Sequence, residues 1–247
     1  MKSFYITDKG IVRDHNEDSV AIIKNQIGEH MLIVADGMGG HRAGEVASGI
    51  AVDHLSERFK DLSSIGNKID AVNWLKENIA LINAEIIKYA KENTEALGMG
   101  TTLVVALLTN DFLIFANVGD SSGYVIKNKK LHKVTKDHSL INVLIDAGEL
   151  TEEEARNYPK KNVLMKALGA GAEVEPDEFD VETTVDGILL ASDGLTNMLN
   201  DEQIQNVLND DKLTIEEKLN KLVKKCNSRG GTDNISIAYL TKEENEK

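Results

Sequence analysis

The sequence predicts an α+β protein in which antiparallel strands form the core and amphipathic helices cover them. Short apolar runs separated by turn residues, such as 103–108 and 112–118, are typical of strands joined as a hairpin. Apolar residues spaced three and four apart over 43–55 and 72–89 indicate two helices with one apolar face each. Such helices bury that face against a sheet.

Composition limits the class of protein. The chain has 247 residues, 41% of them hydrophobic, with two prolines and no shift in composition, so we predict a single domain over 1–247. A net charge of −13 argues against a nucleic-acid partner. The single cysteine, Cys226, fits a buried position in a reducing compartment. No run approaches the ~18 apolar residues of a membrane helix, so we expect a cytoplasmic protein without membrane insertion. The sequence contains no sign of oligomerisation, and we expect a monomer.

The remaining elements follow from the same patterns. The helix over 43–55 should have four to five turns, with His54 packed near its apolar face, and the helix over 72–89 should end at Gly98. A late helix runs from Thr214 to Arg229. Further strands are predicted at 4–6, 20–23, 31–35, 123–126, 131–134, 187–191 and 235–239.

The segment of about 135–171 departs from this pattern. Leu140, Val143 and Leu144 mark a short helix that stops at Gly148, and Thr151 begins a capping box for another. A long polar insertion between two strands is either an ordinary excursion or a mobile flap that selects substrates. We predict a flap.

Aspartates recur at the ends of predicted strands. Asp36, Asp120 and Asp193 each follow an apolar run, and Asp233 precedes one. Each alone is common turn chemistry. Brought together, the four carboxylates would repel each other unless cations neutralised them, and hard oxygen ligands favour Mg²⁺ or Mn²⁺. The pattern predicts a dinuclear metal site.

The polar stretch 13–18 lies between two predicted strands. Such a run is often a solvated loop. Alternatively, the planar fork of Arg13 suits two phosphate oxygens, while neighbouring carboxylates hold metal-bound waters.

Seven motifs carry a resemblance to a known family. They occupy residues 13–18, 36–40, 100–102, 117–121, 137–139, 191–194 and 231–234. In this order they resemble the type 2C metal-dependent serine/threonine protein phosphatases (the PPM family), in particular the small bacterial single-domain members. The resemblance extends from Arg13 to Tyr239.

The resemblance implies a four-layer αββα sandwich, in which two antiparallel β-sheets are flanked by helices and a dinuclear metal site lies at one end. By position, Asp36 would bridge two Mn²⁺ or Mg²⁺ ions and the Gly37 carbonyl would hold one of them. Asp193 and Asp233 would hold the other ion. Asp120 would hold a third, weaker ion.

The resemblance also implies a mechanism. A hydroxide bridging the two metals would attack phosphoserine or phosphothreonine directly, with Arg13 holding the phosphate and Glu17 and Asp18 acting through metal-bound water. Arg13, Asp36 and Asp193 are the candidate catalytic residues. Implied partners are phosphorylated proteins and a membrane-anchored serine/threonine kinase whose action the enzyme opposes.

Three positions depart from the family pattern. Met38 stands where animal members carry a histidine thought to act as general acid, which leaves His41 or a metal-bound water as the donor. Ser122 stands where the family often has arginine. Tyr158 stands where it often has histidine. The last two concern substrate contacts or flap geometry more than activity.

Other functions remain open at this stage. The same ligands would serve a hydrolase of small phosphate esters. A catalytically silent regulatory member is a second alternative, although it would be expected to lose ligands such as Asp193. A dinucleotide-binding protein is weaker, because Arg42 occupies the third glycine position of that fingerprint.

Overall fold

The computed structural model describes residues 1–40, 42–155, 158 and 163–242. Within them, two antiparallel sheets pack face to face, and helices cover the outer face of each sheet. This arrangement confirms the predicted α+β class.

The first sheet has five strands in the order β1-β11-β10-β7-β8. The strands are β1 Lys2–Asp8, β7 Ser122–Lys127, β8 Lys130–Lys133, β10 Gly187–Ala191 and β11 Ile235–Thr241.

The second sheet has the order β2-β3-β5-β6-β9, with the short β4 paired to the end of β3. Its strands are β2 Asp18–Lys24, β3 His30–Met38, β4 Gly100–Thr101, β5 Leu103–Leu108, β6 Leu113–Val118 and β9 Asp177–Val181.

Seven α-helices are described. They are α1 Ala43–Lys60, α2 Lys68–Glu92, α3 Leu140–Asp146, α4 Glu152–Ala155, α5 Asp193–Thr196, α6 Asp201–Leu208 and α7 Ile215–Ser228. Within the described part of the chain, none is long and apolar enough to cross a membrane.

Strand periodicity divides the core into three layers. Along β3, Leu32 and Val34 face the other sheet, whereas Met31 and Ile33 pack beneath α1 and α2. Successive side chains of a strand point to opposite faces, so one strand supplies two layers. The third layer, which includes Cys226 as predicted, lies between the first sheet and the last three helices.

Several predicted elements differ from those observed. The strand predicted to end at residue 35 continues to Met38, so Asp36 lies within β3. The second helix ends at Glu92 and a short 3₁₀ helix, Thr94–Ala96, precedes Gly98. The strand β9 was not predicted because its sequence, Asp-Glu-Phe-Asp-Val, is mostly acidic and half exposed. The helices α5 and α6 were not predicted either.

Three local predictions were confirmed, namely the packing of His54 and the helix caps at Thr151 and Thr214. His54 lies among packed side chains, 3.3 Å from Glu85 Oε2 and 3.3 Å from Asn78 Oδ1. The Thr151 hydroxyl accepts the amide of Glu154, whose carboxylate accepts the amide of Thr151. The helix beginning at Thr214 has the same reciprocal cap.

Replacing Phe115 by alanine should strongly destabilise the sandwich. Phe115 is fully buried between the two sheets, and its ring lies where a Cβ at Gly123 would be 2.7 Å away. Loss of such a ring leaves a cavity and costs about 3–5 kcal/mol in the free energy of unfolding. Urea unfolding checks this value. The control, Leu97→Ala, truncates a side chain that is 67% exposed and should change stability by about 0.5 kcal/mol or less.

Candidate metal centre

A polar cavity of about 300 Å³ contains most of the predicted site residues. It is lined by Arg13, Glu17, Asp36, Gly37, Met38, Gly39, Thr102, Asp120, Leu164, Asp193, Asp233 and Asn234. Of the predicted residues, Asp18 is absent from this wall and lies buried beside it, where its Oδ2 accepts the Ser192 hydroxyl at 2.7 Å.

Both sheets deliver carboxylates to the cavity. In the second sheet, the register of β2 and β3 places Asp18 opposite Asp36, and β6 leads through Gly119 to Asp120. In the first sheet, the neighbouring strands β10 and β11 run antiparallel. Asp193, which follows the end of β10, and Asp233, which precedes the start of β11, therefore lie at the same edge of the first sheet.

Close backbone packing shapes the wall beside Asp36. A Cβ on Gly37 would lie 2.1 Å from the Gly44 carbonyl oxygen and 2.5 Å from that of Glu17. A Cβ on Gly44 would meet the Glu17 carboxyl carbon at 2.8 Å. Only glycine at both positions allows the first turn of α1 to approach β3 this closely.

Hydroxyl groups form hydrogen bonds with the aspartates at the cavity, either with the backbone amide or with the carboxylate. Thr102 Oγ1 accepts the Asp36 amide at 3.0 Å and lies 2.7 Å from Ser121 Oγ. The sequence motifs contained Thr102 and Ser192, but no role was predicted for either. For Ser192 the available signal was its position directly before Asp193, whereas Thr102 has no neighbouring aspartate in the sequence.

Asn234 joins the N-terminal loop to the site. Its Oδ1 accepts the Glu17 amide at 2.8 Å, and its Nδ2 donates to the carbonyls of Lys9 and His15. The polar stretch that includes Arg13 is therefore fixed to the residue after Asp233. This connection was not predicted, because it spans most of the chain.

Arg13 contacts a predicted metal ligand. One guanidinium nitrogen donates to Asp233 Oδ2 at 2.8 Å, and Nε donates to the Thr232 carbonyl at 3.3 Å. The side chain is half exposed, so the guanidinium borders both the carboxylates and solvent.

The carboxylates raise one another's pKa. Burial raises the pKa of Asp36 well above its usual range, and repulsion from Asp18, Asp193 and Asp120 adds to this. Burial likewise raises the pKa of Asp193 to about 7, followed by repulsion from Asp120 and Asp233. Burial raises the pKa of Asp18 to about 7, despite hydrogen bonds from Ser192 and Ser236. Ionising the cluster near neutral pH therefore requires a positive counter-charge.

The side-chain oxygens at the cavity meet only some of the requirements of a hard-cation site. Asp18 Oδ1 and Asp193 Oδ1 are buried without a hydrogen-bond partner. Across the described residues, however, no three His, Cys, Asp or Glu side chains come close enough to hold an ion unaided. Hard-cation sites also use backbone carbonyls and water, and Gly37 lies on the cavity wall. The cluster can thus contribute to a cation site without forming a closed cage.

The positions that depart from the family pattern have different surroundings. Met38 lines the cavity. Ser122 is buried at the start of β7, with its hydroxyl 3.5 Å from Asp137 Oδ1. Tyr158 is half-buried. His41, the alternative proton donor, lies outside the described residues, as do residues 156–157 and 159–162 of the predicted flap.

Known proteins match the chain over nearly its whole length. The Protein phosphatase 2C family matches residues 11–234. The serine/threonine phosphatase stp of Listeria monocytogenes is 42% identical over 248 residues, which is 100% of this chain and 98% of that protein. The S. agalactiae serine/threonine phosphatase has a TM-score of 0.92 and 36% identity, covering 98% of this chain and 99% of that one.

A further solved structure bears on the metals. The catalytic domain of the phosphatase PstP, in complex with two manganese ions, has a TM-score of 0.82 and 32% identity and covers 96% of both chains. The likeness in sequence and in fold runs through every element that carries a cavity carboxylate. This chain therefore belongs to the protein phosphatase 2C family.

Proposed function

We propose that this protein, a serine/threonine protein phosphatase, hydrolyses phosphoserine and phosphothreonine in proteins with the help of two Mn²⁺ or Mg²⁺ ions. The observation that carries this proposal is the convergence of four aspartates from both sheets on one cavity, three of them with a raised pKa. Divalent cations are the natural counter-charge for such a cluster.

Each residue has a proposed role. Asp36, the Gly37 carbonyl, Asp193 and Asp233 would hold the two ions, and Asp120 would hold a weaker third ion. When bound, such ions activate water as a nucleophile near neutral pH and neutralise the phosphoryl oxygens.

The side chains around the ions would orient the reactants. Arg13, half exposed at the cavity mouth, would bind two phosphate oxygens in its planar fork. Glu17 and Asp18 would accept hydrogen bonds from water at the ions. Because Met38 offers no proton, we infer that water, rather than a side chain at that position, protonates the leaving alkoxide.

The remaining proposals concern context. Residues 1–247 would form one catalytic domain that acts as a cytoplasmic monomer. The segment 135–171 would serve as a flap, supported by Leu164, which lines the cavity and pairs with Ser139. Phosphorylated proteins, among them substrates of a membrane-anchored serine/threonine kinase, would be its partners.

Hydrolysis of a phosphothreonine peptide should require Mn²⁺ and Asp193. Chelation with EDTA should abolish phosphate release, and Asp193→Asn should lower it by about 100-fold or more because a charged ligand is lost. The control Asp53→Asn makes the same change on the exposed face of α1 and should leave the rate unaltered. Cleavage of p-nitrophenyl phosphate alone would favour a small-ester hydrolase. Inactivity on both substrates would reject catalysis.

Arg13→Ala should lower kcat/KM for the phosphopeptide by about 100-fold, because a bidentate contact to the phosphate is removed. Arg13→Lys should recover only part of the loss, since an ammonium group cannot form the paired contact. Steady-state kinetics at saturating Mn²⁺ measures both effects. The control variant is Lys60→Ala, which also removes one positive charge but at the C-terminal end of α1. Equal kinetics for Arg13→Ala and Lys60→Ala would contradict the role.

The metal-free protein should become less stable as pH rises. The pKa values of Asp18 and Asp193 are raised from 3.8 to about 7, so folding favours their protonated forms. The resulting stabilisation is present below about pH 4 and is lost as the pH passes about 7. We expect the two groups together to lower the free energy of unfolding by on the order of 5 kcal/mol from about pH 5 to about pH 8.

Urea unfolding in EDTA, at a series of pH values, measures this loss. Asp193→Asn should show a smaller decline, because one of the titrating groups is gone, and Mn²⁺ should restore stability to the unsubstituted protein near pH 8. A free energy that rises over this range and is unaffected by the substitution would be inconsistent with the electrostatic account.

A further inference from the structure

His138 makes two contacts with the peptide groups around Gly119, the residue that precedes Asp120. The Gly119 amide donates to His138 Nδ1 at 3.0 Å, and the His138 amide donates to the Gly119 carbonyl at 2.9 Å. The histidine side chain is only 14% exposed. One residue therefore satisfies both the amide and the carbonyl of Gly119.

The turn at Gly119 needs such support. Its φ of +112° is a conformation that side-chain-bearing residues rarely adopt, and a Cβ there would lie 2.6 Å from Thr102 Cβ. Asn117 Nδ2 also donates to the Gly119 carbonyl, at 3.1 Å. Thr102 closes the turn on one side and His138 on the other, so the direction in which Asp120 leaves the turn depends on both contacts.

The opposite edge of the imidazole faces Asp177 at the start of β9. His138 Nε2 lies 3.2 Å from Asp177 Oδ2, although without the alignment of a hydrogen bond. Since Nδ1 accepts the Gly119 amide, the neutral ring carries its proton on Nε2. Burial acts to raise the pKa of Asp177, but interactions with His138 and Lys166 outweigh it and lower the pKa. The negative charge of Asp177 beside Nε2 favours the tautomer that carries the proton on this nitrogen.

The same histidine contacts the segment that returns from the proposed flap. Its carbonyl accepts the Met165 amide at 2.8 Å, and Lys166 Nζ lies 3.2 Å from Asp177 Oδ1. The residue before Met165 is Leu164, which lines the cavity. His138 therefore connects the turn that presents Asp120 to the segment that contributes Leu164 to the cavity wall.

We propose that His138 is a positioning residue, which fixes the Gly119 peptide and thereby sets the affinity of Asp120 for a divalent cation. This inference rests on the proposed metal role of Asp120. Fixed outer partners of a metal ligand commonly change affinity by about 10–100-fold. The imidazole is not among the side chains that line the cavity, so it would act on the ion only through the Gly119 turn.

Replacing His138 by asparagine or by glutamine distinguishes this positioning role from one in which the side chain only fills space. In His138→Asn the side-chain oxygen can occupy the place of Nδ1 and still accept the Gly119 amide. In His138→Gln the amide group reaches the place of Nε2, beside Asp177, and the acceptor for Gly119 is lost. The two variants therefore retain opposite halves of the contact.

The readouts are Mn²⁺ binding by calorimetry and hydrogen exchange of the Gly119 amide by NMR in the metal-free protein. For His138→Gln we expect the weakest Mn²⁺-binding step to weaken by about tenfold and the Gly119 amide to exchange about tenfold faster. For His138→Asn both quantities should stay within about twofold of the unsubstituted protein. In the unsubstituted protein, the ring ¹⁵N shifts should show the proton on Nε2.

The proposal is overturned if the two variants lose Mn²⁺ affinity equally, or if Gly119 exchange is the same in His138→Gln as in the unsubstituted protein. A proton on Nδ1 of the unsubstituted protein would also overturn it, and that measurement needs no variant to fold. Failure of the proposed function would look different. The unsubstituted enzyme would then release no phosphate with Mn²⁺, while the Gly119 amide remained protected by His138.

Discussion

Repulsion among the carboxylates at one end of the sandwich is the cost that the rest of the fold must offset. Asp36, Asp120, Asp193 and Asp233 line one cavity, and Asp18 lies buried beside it. Burial removes their hydration and proximity adds mutual repulsion, so this end of the sandwich works against folding whenever the groups are ionised without a counter-charge. Three apolar layers, one between the two sheets and one between each sheet and its helices, stabilise the fold and offset this repulsion.

Rigid backbone, more than side-chain length, sets the geometry of the cavity. Gly37 and Gly44 allow α1 to approach β3, and the Thr102 hydroxyl holds the Asp36 amide. Asn234 ties the loop that carries Arg13 and Glu17 to the start of β11. Groups held in this way need little reorganisation when charge develops during a reaction, which is the property that electrostatic catalysis requires.

His138 joins the second sheet to the segment that contains Met165. Its ring and backbone join the Gly119 turn, Asp177 and Met165, which belong to parts of the chain far apart in sequence. The proposed flap and the proposed cation ligand Asp120 are therefore connected through the same side chain.

The sequence by itself determined the fold class, most of the strands and helices, and the charged residues that line the cavity. Periodicity identified β3, β5 and the amphipathic helices because apolar burial is a local pattern repeated along each element. It missed β9, whose mostly acidic sequence pairs with β6 at the edge of the second sheet. The motif order, rather than any single aspartate, indicated the family.

Only the tertiary structure decided how these residues are arranged. The pairing of Arg13 with Asp233, the fixing of Glu17 by Asn234, and the clamp of His138 on Gly119 join residues that are separated along the chain. Such contacts follow from strand register and sheet packing, which no local pattern specifies. The raised pKa values have the same origin, because desolvation and repulsion depend on where the chain places its charges in space.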